Sequence, residues 1–312
     1  MNATLRRLVA AMYVLATPAI LGAQKPPNTE RAAYTFRSSA DLVAIQATVR
    51  DSRGRLVNGL TADDFDVRDN GQARPVLSFR SDRHSPVSVA VLIDTSGSMR
   101  LGANVAMARQ AYEVLLSQLQ DGRDEMALFM FDSNVQTVHD FTKRLGPLRG
   151  ALPQWRPYGT TSLYDATAAT ARHLAARSSS HKAVIVLTDG IDTSSKLTAA
   201  QVSGLASSID VPVFVISTAT SIDRRYLMER AGTELGSQTA DLRDLADWTG
   251  GQLLFAGTFA ETAAAALKLI GDLRQQYVLA IEANNAHGWR RLEISVKGRR
   301  AIVRARNGYF GG

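Results

Sequence analysis

The stretch VLIDTSGSM, Val91 to Met99, runs from apolar residues into an aspartate and then places serines at two-residue intervals. Asp94, Ser96 and Ser98 thereby offer a carboxylate and two hydroxyls within one short segment. Mg2+ and Ca2+ take oxygen ligands, and Mg2+ accepts neutral ones beside one or two carboxylates, so the triplet could hold a hard divalent cation. Aspartate and serine after a strand also make turns or cap a following helix, and this stretch alone leaves both readings open.

A second apolar run, VLTD at Val186 to Asp189, also ends in aspartate. In an open parallel α/β sheet, ligands bind beyond the carboxyl ends of the strands, where the strand order reverses. If the strands ending at Asp94 and Asp189 are neighbours at that reversal, their carboxylates face one crevice. The segment YGTTSLYDA, Tyr158 to Ala166, supplies hydroxyls just before a helical pattern, so three loops converge. Asp192 reads as a turn carboxylate, and Asp165 as a charge favoured at a helix N-terminus.

The elements that must position these loops follow from periodicity. VSVAVLID, EMALFMF, AVIVLTD and VPVFVIS are continuous apolar runs of strand length. Between and after them, apolar residues recur at helical spacing in ANVAMARQAYEVLLSQLQ, around Leu163 to Arg177, over Thr198 to Ser208, over Asp241 to Thr249 and over Thr258 to Arg274. Buried strands alternating with amphipathic helices predict an α/β fold, a doubly wound, mostly parallel sheet covered on both faces. This region spans about 85–275. Before it, Val43, Ile45, Ala47 and Val49 alternate, and turns follow at DSRGR and DNGQ. After it, Leu292, Ile294 and Val296 alternate ahead of a turn at KGRR and the strand AIVRAR. The two flanks, 38–84 and 276–312, are each too short to bury a face well, so they are expected to pair into one small β domain.

Composition narrows the setting. The 312 residues carry 45% hydrophobic content, enough for an ordinary core with a smaller satellite. Arg6 and Arg7 precede an apolar run, Leu8 to Ala16, with Pro18, Gly22 and Ala23 after it. This is the order of a signal peptide over 1–23, and the polar, Pro26-Pro27-bearing segment 24–37 reads as a linker. The expected location is outside the cytoplasm, periplasmic or secreted, which makes nucleic acid an unsuitable partner. The chain has no cysteine, so disulfides and thiolate metal sites are excluded. A net charge of +7 suits an anionic envelope surface, although the run Arg290, Arg291, Lys297, Arg299, Arg300, Arg304 and Arg306 reads first as the solvated face of a β domain.

Enzyme motifs are missing. DTSGS lacks the second aspartate of a phosphotransferase loop, and neither G-x-S-x-G nor G-x-x-x-x-G-K is found. The five histidines form no H-E-x-x-H or i,i+4 pair. The cluster Asp63, Asp64, Asp66 and Asp69 fails as an EF-hand, because taking Gly71 as the loop glycine puts Arg68 and Leu77 at ligand positions.

DTSGS, GTTSLYDA and LTDG together resemble the metal-ion-dependent adhesion site (MIDAS) of von Willebrand factor A domains. GLTADDF, QYVLAIEA and VRARNGYF resemble exported bacterial proteins related to that family. The resemblance implies the vWA fold and a metal set of Asp94, Ser96, Ser98, Thr161 and Asp189, the serines binding directly and Asp189 through water. Thr160 interrupts the usual glycine pair and is a second candidate beside Thr161. It also implies a non-enzymatic adhesion module in which a divalent cation, Mg2+ first and Ca2+ or Mn2+ as alternatives, takes an exposed Asp or Glu of a partner protein. A metal-free envelope scaffold and a metal-assisted hydrolase are the competing readings.

Overall fold

Alternation between apolar and other residues makes β1 (Leu42–Asp51), whose Val43, Ile45, Ala47 and Val49 turn inward together. Asn70 and Gly71, both at positive φ, close the hairpin between β2 (Phe65–Asp69) and β3 (Gln72–Arg74), as the Asn-Gly pair favours. β4 (Ser78–Asp82) follows. The period then changes. β5 (Val87–Asp94) is buried along its whole length, as a strand covered on both faces must be. After it come α1 (Asn104–Ser117), β6 (Glu125–Phe131), β7 (Val135–Thr142), α2 (Leu163–Ala175), β8 (His181–Thr188) and α3 (Ala199–Ser208). Next are β9 (Val213–Ser217), α4 (Thr233–Trp248), β10 (Leu253–Phe255) and α5 (Phe259–Arg274). β11 (Gln276–Glu282), β12 (Gly288–Val296), β13 (Ala301–Arg304) and β14 (Gly308–Gly311) complete the order. This computed structural model describes residues 42–82, 85–179, 181–220, 233–284 and 286–311. The signal peptide and linker expected over 1–37 lie outside the described residues.

The central sheet has the order β10-β9-β8-β5-β6-β7, parallel from β10 to β6 with β7 antiparallel at the edge. The α/β fold expected from the alternation is thus the one observed. Because successive side chains of a strand point to opposite faces, β5 serves two cores. Val87, Val89, Val91 and Ile93 pack with α1 and α5, and Ala90 and Leu92 with α2, α3 and α4. Strand order reverses between β5 and β8, which places their carboxyl ends side by side.

The flanking segments pair across the chain. β1 and β4 sandwich β11 in one antiparallel sheet, β13-β1-β11-β4, and β2 pairs with β12 in another, β14-β12-β2-β3. Ile45, Phe65, Tyr277, Leu279 and Leu292 belong to their shared core, in which the rings of Phe65, Phe79 and Tyr277 lie 5.6–5.9 Å apart.

The basic run departs from the solvated face expected of it. Arg290 and Arg306 are buried. The Arg290 Nε donates to both oxygens of the fully buried Asp69, at 2.8 and 3.0 Å, and Tyr309 Oη donates to the same carboxylate at 3.1 Å. Arg306 donates to the carbonyls of Ser207 and Ala44, and Arg304 pairs with Asp247 at 3.6 Å. A buried carboxylate and the carbonyls at the end of α3 and within β1 need donors, and long guanidinium side chains supply them. Lys297, Arg299 and Arg300 stay exposed in the β12–β13 turn.

Candidate functional site

Asp94 closes β5, and Asp189 stands one residue past β8, whose Leu187 pairs with Ile93. Asp94 is fully buried. Its Oδ1 accepts the Ser96 N–H at 2.8 Å and its Oδ2 accepts the Thr188 hydroxyl at 2.6 Å. Thr188 Oγ1 in turn accepts the Gly190 N–H at 3.0 Å, so one hydroxyl couples both aspartate loops. Asp189 is nearly buried, and its Oδ1 takes the Ile191 N–H at 3.4 Å.

Ser96 precedes a single 3-10 turn, Gly97–Arg100, yet its side chain makes no capping bond to it. The helix-cap alternative for this serine therefore fails. Ser96 Oγ lies 3.0 Å from Ser98 Oγ instead, which gathers the two hydroxyls beside the carboxylate.

The loop before α2 is tied to the first by backbone bonds, Gly97 N–H to Gly159 O at 3.1 Å and Tyr158 N–H to Thr95 O at 3.0 Å. Gly159 has φ +85, and a Cβ on Gly97 would come within 3.2 Å of the Gly159 oxygen. Both glycines permit this close approach. Thr161 is buried in this loop, its N–H donating to Thr193 Oγ1 at 2.8 Å. Thr160 is exposed, and its hydroxyl accepts from Ser194 at 3.1 Å. Thr161 is thus the buried one of the two candidates and Thr160 the exposed one.

Asp192 and Asp165 brace the loops. Asp192 Oδ1 accepts the Leu163 N–H at 2.8 Å and the Ser195 hydroxyl at 2.7 Å, capping α2 from a distant loop. Asp165 accepts the Lys196 and Leu197 N–H groups at 3.0 and 2.9 Å. Thr188 was not singled out by sequence reasoning. Its only signal is its place at the end of an apolar strand, just before an aspartate.

Burial pushes the Asp94 carboxyl up to about 7, with the Asp189 charge adding to the rise and the Thr188 and Ser96 hydrogen bonds opposing it. A cation beside two buried carboxylates would offset this cost. The donors are all oxygens, and among the described residues no group of three or more His, Cys, Asp or Glu gathers as a metal cluster. Carboxylates and hydroxyls in this proportion fit a hard divalent cation.

Comparison with known proteins supports the architecture. The von Willebrand factor type A domain profile matches residues 89–191. A von Willebrand factor type A protein from Catenulispora acidiphila is 14% identical with a TM-score of 0.50, over 79% of this chain and 74% of its own. Proximal thread matrix protein 1 from the mussel byssus, solved with a zinc-occupied MIDAS motif, is 14% identical with a TM-score of 0.50 over 72% of this chain. The match spans 50% of that mussel protein's length. An aerotolerance-related membrane protein from Bacteroides fragilis is 19% identical with a TM-score of 0.47, over 60% of this chain and 98% of its own. No curated protein matches the chain. The matched profile covers the strands and loops that end at Asp94 and Asp189, so residues 89–191 are similar to a von Willebrand factor type A domain and the fold around them is similar to that of the Catenulispora protein.

Proposed function

We propose that the protein is an exported, non-enzymatic binding module in which a divalent cation, held by Asp94, Ser96, Ser98, Thr161 and Asp189, receives an acidic side chain of a partner protein. The observation that carries this reading is the burial of Asp94 beside Asp189, with the Ser96 and Ser98 hydroxyls gathered at the same strand ends. When bound, the cation supplies positive charge and a coordination position for an external oxygen, with Mg2+ the first choice. Asp94 and Asp189 balance its charge, and the hydroxyls fill its shell without neutralising it further. Thr188 holds Asp94 in orientation, and Asp192 and Asp165 keep the neighbouring loops in register.

Recognition rather than turnover is supported by the lack of hydrolase and phosphotransfer motifs in the sequence. In chain terms we propose a signal peptide over 1–23, a linker over 24–37, the A domain over 85–275, and one β domain from 38–84 and 276–312. The β1–β11 and β2–β12 pairings support the last of these. Export rests on the Arg6-Arg7 and Leu8–Ala16 pattern. Among the described residues no helix is long and apolar enough to cross a membrane.

Affinity capture from envelope extract, run with Mg2+ and with chelator, tests the reading. A partner retained only with Mg2+ and lost in Asp94→Ala is the expected result. Capture indifferent to both would favour a metal-free scaffold.

A further inference from the structure

Away from the strand ends, α3, the last turn of α4 and strands β12 and β14 enclose an open groove of about 480 Å3, within the size range of small-ligand sites. Two of the chain's three tryptophans line it. Trp248, Trp289 and Phe310 are 37%, 42% and 60% exposed, a concentration of aromatic surface that a protein seldom leaves in water without use. Trp289 and Phe310 meet edge to face with centroids 5.4 Å apart. The α3 wall is low because it carries small residues, with Phe310 Cε2 only 3.9 Å from where a Cβ on Gly204 would sit.

The polar lining identifies the ligand class. Arg291 Nε pairs with Glu293 Oε1 at 3.2 Å, so the charges of the groove cancel and favour neither an anion nor a cation. Asn307 is anchored by its N–H to the Trp248 carbonyl at 3.0 Å, and its carboxamide lines the groove. A guanidinium, a carboxylate and a carboxamide are planar groups that donate or accept in pairs, as adjacent hydroxyls require. Aromatic faces beside them suit a ligand with apolar C–H surfaces. A ligand that is uncharged, rich in paired hydroxyls and flat enough to stack is a sugar. A proline-rich peptide would use the rings but leave the planar polar groups unmatched.

We propose that this groove is a binding site for a neutral saccharide, stacked on Trp289 and Phe310 and hydrogen-bonded by Arg291, Glu293 and Asn307. The site is separate from the metal loops and does not depend on them.

Tryptophan fluorescence of the full chain, titrated with cellotriose, maltotriose and chitotriose, tests the assignment, with decaproline as the competing probe. At least one trisaccharide should shift the emission, and Trp289→Ala or Phe310→Ala should weaken its binding by about tenfold or more. Glu293→Gln, an exposed change that leaves the core untouched, should weaken it severalfold with an unchanged circular dichroism spectrum. Chelator and Asp94→Ala should leave it unaffected. The assignment is overturned if no trisaccharide acts at about 10 mM, a level that detects even millimolar binding. A response that survives both aromatic substitutions and Glu293→Gln, or one produced by decaproline alone, overturns it equally.

Discussion

Thr188 donates its hydroxyl hydrogen to Asp94 Oδ2 at 2.6 Å across the β5–β8 pair, and accepts the Gly190 N–H at 3.0 Å on its other side. Groups behind a metal ligand commonly carry about 10–100-fold of metal affinity by fixing the ligand's orientation. Thr188→Val keeps the side-chain shape but removes both bonds. Calorimetric titration should find Mg2+ binding weakened by at least about tenfold. Loss of a buried hydrogen bond should lower stability by about 1–3 kcal/mol in chemical denaturation. Wild-type Mg2+ affinity in the valine variant would remove Thr188 from the site.

Asp94→Ala deletes the carboxylate at the centre of the arrangement, whereas Ser96→Ala and Ser98→Ala each delete one neutral oxygen. Mg2+ at about 100 times its dissociation constant should stabilise wild type by about 2.7 kcal/mol, and thermal melts should show the corresponding rise in Tm. The serine variants should retain part of that rise, and Asp94→Ala none. Without metal, the alanine variant is relieved of the buried carboxylate and its repulsion with Asp189 but loses the Thr188 and Ser96 hydrogen bonds, so its own metal-free Tm is the baseline for its Mg2+ response. A full Mg2+ response in Asp94→Ala would return the opening motif to a turn.

The raised Asp94 carboxyl gives metal-free stability a definite slope. Its folded value is about 7 against an ordinary 3.8, so between these pH values the folded chain holds a proton that the unfolded chain has released. The stability from this group is complete below about pH 4 and disappears as pH rises through about 7. Asp51 and Asp64, held below their usual value by backbone and side-chain hydrogen bonds, work in the opposite direction. The informative quantity is the difference between wild type and Asp94→Asn in urea midpoint, which should move against wild type from pH 4 to pH 8. Parallel profiles would contradict the buried-carboxylate account.

Asp192 caps α2 from outside its own segment, through Leu163 N–H at 2.8 Å. Asp192→Ala should cost about 1–2 kcal/mol, the usual effect of losing a cap, and Asp192→Asn much less. Slackening this brace also frees the loop that carries Thr161, so metal affinity should fall, though by less than in Asp94→Ala. Equal stability of the alanine variant and wild type in equilibrium denaturation would refute the capping role.

Much of this site was legible before any fold was known, because its two carboxylates end uninterrupted apolar runs, and such runs make buried parallel strands. That β5 and β8 lie side by side could only be conjectured, since strand order depends on how the helices pack. Thr188 escaped notice for a related reason: its bond to Asp94 joins residues 94 positions apart. β7 was not anticipated, because the edge sequence VQTVHDFT is largely polar and only one of its sides is paired. α4 was read from Asp241 but begins at Thr233, where TELGSQTA lacks an apolar stripe. The arginines of the C-terminal run misled in the other direction. Charge count alone does not reveal a buried Asp69 waiting for Arg290.

Gln276 faces Asp82 across the β11–β4 pair, so the α/β segment between them leaves the flanking sheet and returns to it at neighbouring positions. Bringing these two residues together in an unfolded chain would close a loop of roughly 190 residues, at an entropic cost of about 4–5 kcal/mol beyond the constant for any closure. If the α/β domain folds first, it draws the two ends together and most of that cost has already been met. β1 to β4 are synthesised long before β11 to β14, and until then their unpaired edges are open to wrong pairing. In that order of assembly the centre forms first and the flanking sheets last, and the earliest strands to be made are among the last to find their partners.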